Sequence, residues 1–100
     1  MFLKYGQKII SQEADALKAL SKNLDPDFIK VVKVVLETKG KVIVSGVGKS
    51  GHIARKIAST MTSTGSKAIF IHPTEASHGD LGVFDSKDTI IMLSNSGQSD

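Results

Sequence analysis

Residues 41–56 read KVIVSGVGKSGHIARK, and the order of residue types along this stretch decides the fold. KVIVS (41–45) is a short apolar run of β-branched residues, the pattern of a strand covered on both faces of a parallel sheet. A glycine-rich turn follows. Ser50 to Thr64 then carries Ile53, Ile57, Ala58 and Met61 at helical spacing and ends at Gly65. Buried strand, glycine turn and amphipathic helix together are the opening of a βαβ unit, which requires a right-handed crossover and a parallel partner strand.

Working outward, KAIFI (67–71) supplies that partner and TIIML (89–93) a third buried strand. On the other side, residues 6–23 place Ile9, Ile10, Ala14, Leu17 and Leu20 at helical spacing. Asp25-Pro26 reads as an N-cap followed by proline in the first turn. It opens a second helix from Pro26 to Lys39, with Phe28, Ile29, Val32, Val35 and Leu36 on one face, that stops at Gly40. The predicted order is αα-βαβ-loop-β, an α/β fold with a parallel sheet flanked by helices, and no repeat or low-complexity tract interrupts it.

One hundred residues make one domain at most, with a modest core. A hydrophobic content of 40% with 23% charged residues describes an ordinary globular chain. No run approaches the roughly 18 apolar residues of a membrane span, and the start, MFLKYGQKII, lacks the h-region of a signal peptide. With no cysteine there is neither a disulfide framework nor a thiolate metal site, which suits a cytoplasmic protein. The net charge of +3 comes from lysines scattered among acids, with only 5% aromatic residues; that excess fits an anion pocket better than a nucleic-acid face.

SGVGKSG (45–51) partly satisfies several phosphate-handling patterns. A P-loop requires G-x-x-x-x-G-K-[ST], and counting back from Gly48 puts its first glycine at Ile43, inside the strand. That reading fails. The dinucleotide fingerprint G-x-G-x-x-G is met by Gly46, Gly48 and Gly51, but it also needs an acid about 20 residues on, at the end of the second strand. That strand ends in Ile71-His72-Pro73, and Glu75 lies out of register. A sugar-phosphate site remains. Parallel α/β sheets collect ligands at the carboxyl ends of their strands. Three small, polar segments lie there: SGVGKSGH, HPTEASHGDLG and SNSGQSD. Glycine and serine also simply make turns, yet three such loops on one edge point to an anion held by amides and hydroxyls. SNSGQSD, with Ser94, Asn95, Ser96, Gly97 and Ser99, is sized for one phosphate monoester.

GVGKSGH, then HPTEASHGDLG, then SNSGQS resembles the sugar isomerase (SIS) domain, and most closely the D-arabinose-5-phosphate isomerases, over essentially the whole chain. The resemblance implies a flavodoxin-like or Rossmann-like three-layer fold, here incomplete, with residues 1–40 as paired helices and 41–100 as the βαβ core with the phosphate loop. It implies interconversion of D-arabinose 5-phosphate and D-ribulose 5-phosphate, feeding synthesis of the Kdo sugar of lipopolysaccharide. Position by position, Ser94, Asn95, Ser96 and Ser99 match the phosphate loop and Ser50 joins them from the first loop. Lys49 matches a catalytically relevant lysine and His78 an active-site histidine. His72 matches a position that meets substrate or an inhibitory zinc ion; no cofactor is required. Gly65-Ser66 matches a substrate-contacting pair, although it precedes the second strand and so lies at the wrong end of the sheet. A homotetramer is implied, with no nucleic-acid or membrane partner.

The chemistry asks for these residue types. Aldose–ketose isomerisation moves a proton between C1 and C2 through an enediolate, and needs a base and a group that stabilises oxyanion charge. Lys49 suits the second task or neutralises the phosphate. His78 suits proton shuttling or ring opening, since imidazole titrates near neutrality; alternatively it ties down the HGDLG turn. His72 equally reads as a residue capping the strand end, and His52 as part of the helix's first turn. Glu75 is a candidate base, and Asp80 orders its own turn.

Family members continue past the phosphate loop, often with paired CBS domains, and carry further catalytic residues there. The chain is therefore expected to be a fragment, inactive in isolation, with an apolar sheet face and an open edge exposed. A second functional class, a non-catalytic SIS module that senses a sugar phosphate, explains the phosphate loop as well but not the pairing of Lys49 with His78.

Overall fold

The computed structural model describes residues 1–77 and 85–95. The chain divides into two compact units, Met1–Lys33 and Val34–Asp100. In the first, α1 (Phe2–Asn23) begins ahead of the predicted Gly6 and buries none of its residues. Its apolar residues, among them Ile10, Leu17 and Leu20, are exposed. Leu24 leaves the helix with extended backbone. Asp25 then caps α2 (Pro26–Leu36) as its sequence predicts: the Asp27 amide donates to Asp25 Oδ1 at 2.9 Å. Pro26 takes the first helical position, where no backbone donor is required.

α2 stops at Leu36, short of the predicted Lys39. The reason is tertiary. Thr38 turns back on the helix, its hydroxyl donating to the Val34 carbonyl at 2.8 Å, and it also bonds the hydroxyl of Thr89. The Gly40 amide donates to the Lys87 carbonyl at 3.0 Å. A Cβ at Gly40 would collide with the carboxylate of Asp88, so glycine permits the approach that ends the helix.

The second unit is built on a parallel three-stranded sheet of order β2-β1-β3, from β1 (Val42–Gly46), β2 (Ala68–Phe70) and β3 (Thr89–Leu93). Val42 pairs with Ala68 on one side and Thr89 on the other, and Gly46 with Leu93. Between β1 and β2 runs α3 (Lys49–Ser63), which packs across the sheet. Its buried positions are Gly51, Ala54 and Ala58, small residues that let the helix lie close over Val42 and Val44. Val35, Ile57, Met61, Phe70, Ile91 and Leu93 complete this core. A short helix, α4 (Pro73–Ser77), follows β2 and was not predicted.

The central strand behaves as its composition predicts, since all of Val42–Gly46 is buried. The other two do not. β2 and β3 flank β1, and β3 alternates between half-buried and exposed residues rather than being buried throughout. Ile90 and Met92 on β3 are 53% and 61% exposed, and Ile69 on β2 is 38% exposed. The register puts Ile69 and Ile90 level with Ile43, out of step with the Val42 and Val44 rows that meet α3. The expected exposed apolar face is thus present only in part among the described residues, on the flanking strands, since Ile43 in the same row is buried.

The amino end of the sheet is locked by one carboxylate. Asp88, whose side chain is only 3% accessible, accepts from the Lys41 amide at 2.9 Å, the Lys41 ammonium at 2.7 Å and the Asp85 amide at 2.8 Å. The Lys41 side chain, then its amide, holds the Asp88 carboxyl down at about 2, against the opposing effect of burial. Because this value lies below that of the unfolded chain, the lock stabilises the fold above about pH 4 and is lost as pH falls through about 2. Asp88→Asn should therefore lower the melting temperature at neutral pH, and its deficit relative to wild type should shrink between about pH 4 and 2. Thermal melts across that range check it; a deficit independent of pH would show that the charge contributes nothing.

Candidate active site

The β1–α3 turn is set by close backbone approach. An ideal Cβ on Gly51 would stand 2.7 Å from the Gly46 carbonyl oxygen, and one on Gly46 would stand 2.9 Å from Ser50 backbone atoms. Gly48, the N-cap, has φ 61°, which glycine adopts without penalty. The turn closes with the amides of Gly51 and His52 donating to the carbonyls of Val47 and Gly48. Lys49 and Ser50 consequently start α3 at the carboxyl edge of the sheet, at the positive end of its dipole.

The exit of β2 is fixed to the same edge. Ser45, 4% exposed, donates its hydroxyl to the Ile71 carbonyl, while the Ile71 amide donates to the Val44 carbonyl at 3.2 Å. With Ile71 held on both sides, His72 is delivered beside the glycine turn. His72 caps α4: its Nδ1 accepts the Thr74 amide at 3.1 Å and its carbonyl accepts the Glu75 amide at 3.0 Å. In the neutral ring, Nε2 then carries the proton and is a donor toward a ligand. A zinc-bound histidine instead donates its second ring N–H outward. No group of three His, Cys, Asp or Glu that could hold a metal is present among the described residues.

Ser94 and Asn95 leave β3 at the same edge. The strand order reverses between β1 and β3, the position at which open α/β sheets form a ligand crevice. On the other flank of β1 lies a cavity of about 180 Å³ lined by the three turn glycines with His52, Arg55, Phe70 and His72. Lys49, Ser50, His72, Ser94 and Asn95 are therefore brought to one edge. His78, Ser96 and Ser99 lie outside the described residues.

Gly65 and Ser66 are not brought there. They terminate α3 at the amino end of β2, where Gly65 has φ 105°. The Ser66 amide donates to Met61 at 2.9 Å and the Gly65 amide to Thr62 at 3.2 Å, the paired bonds of a glycine-terminated helix. Within this chain their glycine–serine pattern is explained by helix termination. A larger cleft of about 520 Å³ also lies at this amino end, around Lys41, Lys67 and Asp88. It is on the wrong edge for a parallel-sheet ligand site.

Sequence reasoning missed Arg55 and Phe70 and read His52 as structural. One signal was available: His52 and Arg55 are three residues apart on a helix, and Phe70 and His72 two apart at a strand end, so each pair shares a face.

A parallel sheet with a glycine-rich strand–helix turn and a Ser/Asn exit at its switch point defines an α/β domain with a crevice at the carboxyl edge of its strands. The chain belongs to the SIS domain family, whose model matches residues 35–100. It is 45% identical over 98 residues to the arabinose 5-phosphate isomerase KdsD of Pseudomonas aeruginosa, covering 98% of this chain and 30% of that protein. It is 45% identical over 95 residues to the arabinose 5-phosphate isomerase GutQ of Escherichia coli, with 95% and 30% covered. The solved structure of c3406 from Escherichia coli CFT073, in complex with arabinose 5-phosphate, superposes with a TM-score of 0.90 at 40% identity, over 98% of this chain and 52% of that one. The chain thus spans about 30% of the length of these curated relatives.

Gly51→Ala tests the turn. Alanine gains about 1 kcal/mol of helix propensity over glycine, but its Cβ meets a backbone carbonyl that no side-chain rotation can move. Overpacking of this kind costs about 1–3 kcal/mol, so the net expectation is a loss of stability on denaturant unfolding. A variant more stable than wild type would show that the approach is not constraining.

Proposed function

We propose that the protein is an aldose–ketose isomerase acting on D-arabinose 5-phosphate and D-ribulose 5-phosphate. The observation that carries this reading is the gathering of Lys49, Ser50, His72, Ser94 and Asn95 at the carboxyl edge of β1, β2 and β3. The names of the relatives and the ligand of the solved neighbour support the substrate.

In this reading Ser50, Ser94, Asn95, Ser96 and Ser99 bind the phosphate at the β1–β3 switch point, aided by the N-terminal end of α3. A base removes the C2 proton of the open-chain aldose, the electron pair forms the C1–C2 double bond, and charge moves to the carbonyl oxygen. Return of a proton at C1 gives the ketose. Lys49, the first residue of α3, offsets the oxyanion charge. His78 moves protons between the oxygens or opens the ring. Glu75, in α4, is the acid that the described residues bring to this edge, and is a candidate base. The reading extends to supply of the Kdo pathway in the cytoplasm by a homotetramer. The exposed apolar stripe of α1 supports assembly, and among the described residues no helix is long and apolar enough to cross a membrane.

The test is ketose formation from arabinose 5-phosphate by the full-length protein, with Lys49→Ala as comparison. Wild type should turn over, and Lys49→Ala should lower kcat by roughly 10²–10³-fold, as loss of an oxyanion donor does. Undiminished activity in Lys49→Ala would sink the role given to the lysine. Tight binding without turnover by the wild type would favour a sugar-phosphate sensor instead.

A further inference from the structure

Arg55 forms no ion pair with an acid among the described residues, where the ion pairs are Lys30–Asp27 and Lys41–Asp88. What holds Arg55 is the ring of Phe70, whose centroid lies 4.2 Å from the guanidinium carbon. A stacked guanidinium keeps its edge N–H donors available as a planar fork, matched to two oxygens side by side. Side chains on a helix lean toward its N-terminus. Accordingly Arg55, although one turn beyond His52, lines the cavity of about 180 Å³ together with Gly46, Gly48 and Gly51.

The position of this fork relative to the phosphate site decides what it meets. Ser94 and Asn95 leave β3 on one flank of β1, whereas Phe70 and His72 belong to the β2 flank. Two strand spacings, about 10 Å, separate the exits of β3 and β2, and Lys49 begins its helix after the strand between them. A sugar phosphate seated at the β1–β3 crevice and lying across the end of β1 brings its non-phosphorylated end to the β2 flank. There it meets Arg55 and the Nε2 side of His72. Among the described residues no acid lines this cavity.

We infer that Arg55 contacts the reacting end of the substrate, its fork donating to the two adjacent oxygens on C1 and C2 as charge builds on them, with Phe70 as the residue that positions it. This role rests on the isomerase reading above. A donor aimed at charge that develops during reaction acts on kcat rather than on ground-state binding.

The experiment is steady-state kinetics of the full-length protein on arabinose 5-phosphate for wild type, Arg55→Met, Arg55→Lys and Phe70→Leu. Methionine retains a flexible stem against Phe70 and removes the fork, so kcat should fall on the order of 10²-fold with KM changed little. Lysine, a single point of charge, should recover only part of this loss. Phe70→Leu should show a smaller fall in the same parameter. Added guanidinium ion should restore part of the activity of Arg55→Met and none to wild type, which a merely structural defect would not allow. A rise in KM at unchanged kcat, unchanged kinetics, or a loss that follows thermal stability and resists guanidinium would overturn the role of Arg55 alone. Absence of turnover by the wild type would remove the isomerase reading and this role with it.

Discussion

The carbonyl oxygen of Gly46 and the α-carbon of Gly51 approach so closely that an added Cβ would stand 2.7 Å from the oxygen, and the rest of the site depends on that contact. It pins the first turn of α3 against the end of β1. Once the helix starts there, Gly51, Ala54 and Ala58 lie along the sheet and Val42 and Val44 are sealed beneath them. The same contact sets Lys49 and Ser50 at the carboxyl edge and leaves space beside the turn. The glycine pattern shared by several phosphate-binding families is here a packing requirement.

The two edges of the sheet have different tasks. At the amino edge Asp88 draws three donors onto one carboxylate and ties β1 to the turn before β3, while Gly65 and Thr62 close α3 onto β2. At the carboxyl edge the bonds are fewer and serve placement: Ser45 to Ile71, and His72 to the start of α4. Arg55 there is held by the ring of Phe70, and among the described residues it forms no ion pair. A charge satisfied within the fold stabilises it, whereas an unpaired one retains affinity for a ligand.

Much of this architecture was legible in local pattern. The strand at Val42, the helix closed by Gly65 and the Asp25 cap all follow from propensity and turn chemistry that neighbouring residues supply. α4 was not legible, because its cap is an imidazole nitrogen of His72 rather than a Ser, Thr, Asp or Asn side chain. The end of α2 was misplaced for a different reason: Gly40 answers to Lys87 and Asp88, which are distant in sequence. Within the site, Lys49 and Ser50 could be located because they open the helix after β1 and its short glycine turn, and Ser94 and Asn95 because they follow β3. Gly65-Ser66 shows the converse, a motif whose position before β2 sends it to the opposite edge.

By itself the sequence determined the element types, the parallel sheet and the edge at which small polar loops gather, because these depend on side-chain period and on residues adjacent in the chain. Only the tertiary structure decided which strand is central, which face of β3 stays exposed and which side chains converge on the cavity beside the glycine turn. Those outcomes depend on the strand order β2-β1-β3 and on contacts such as Phe70 with Arg55, which join segments that no local pattern relates.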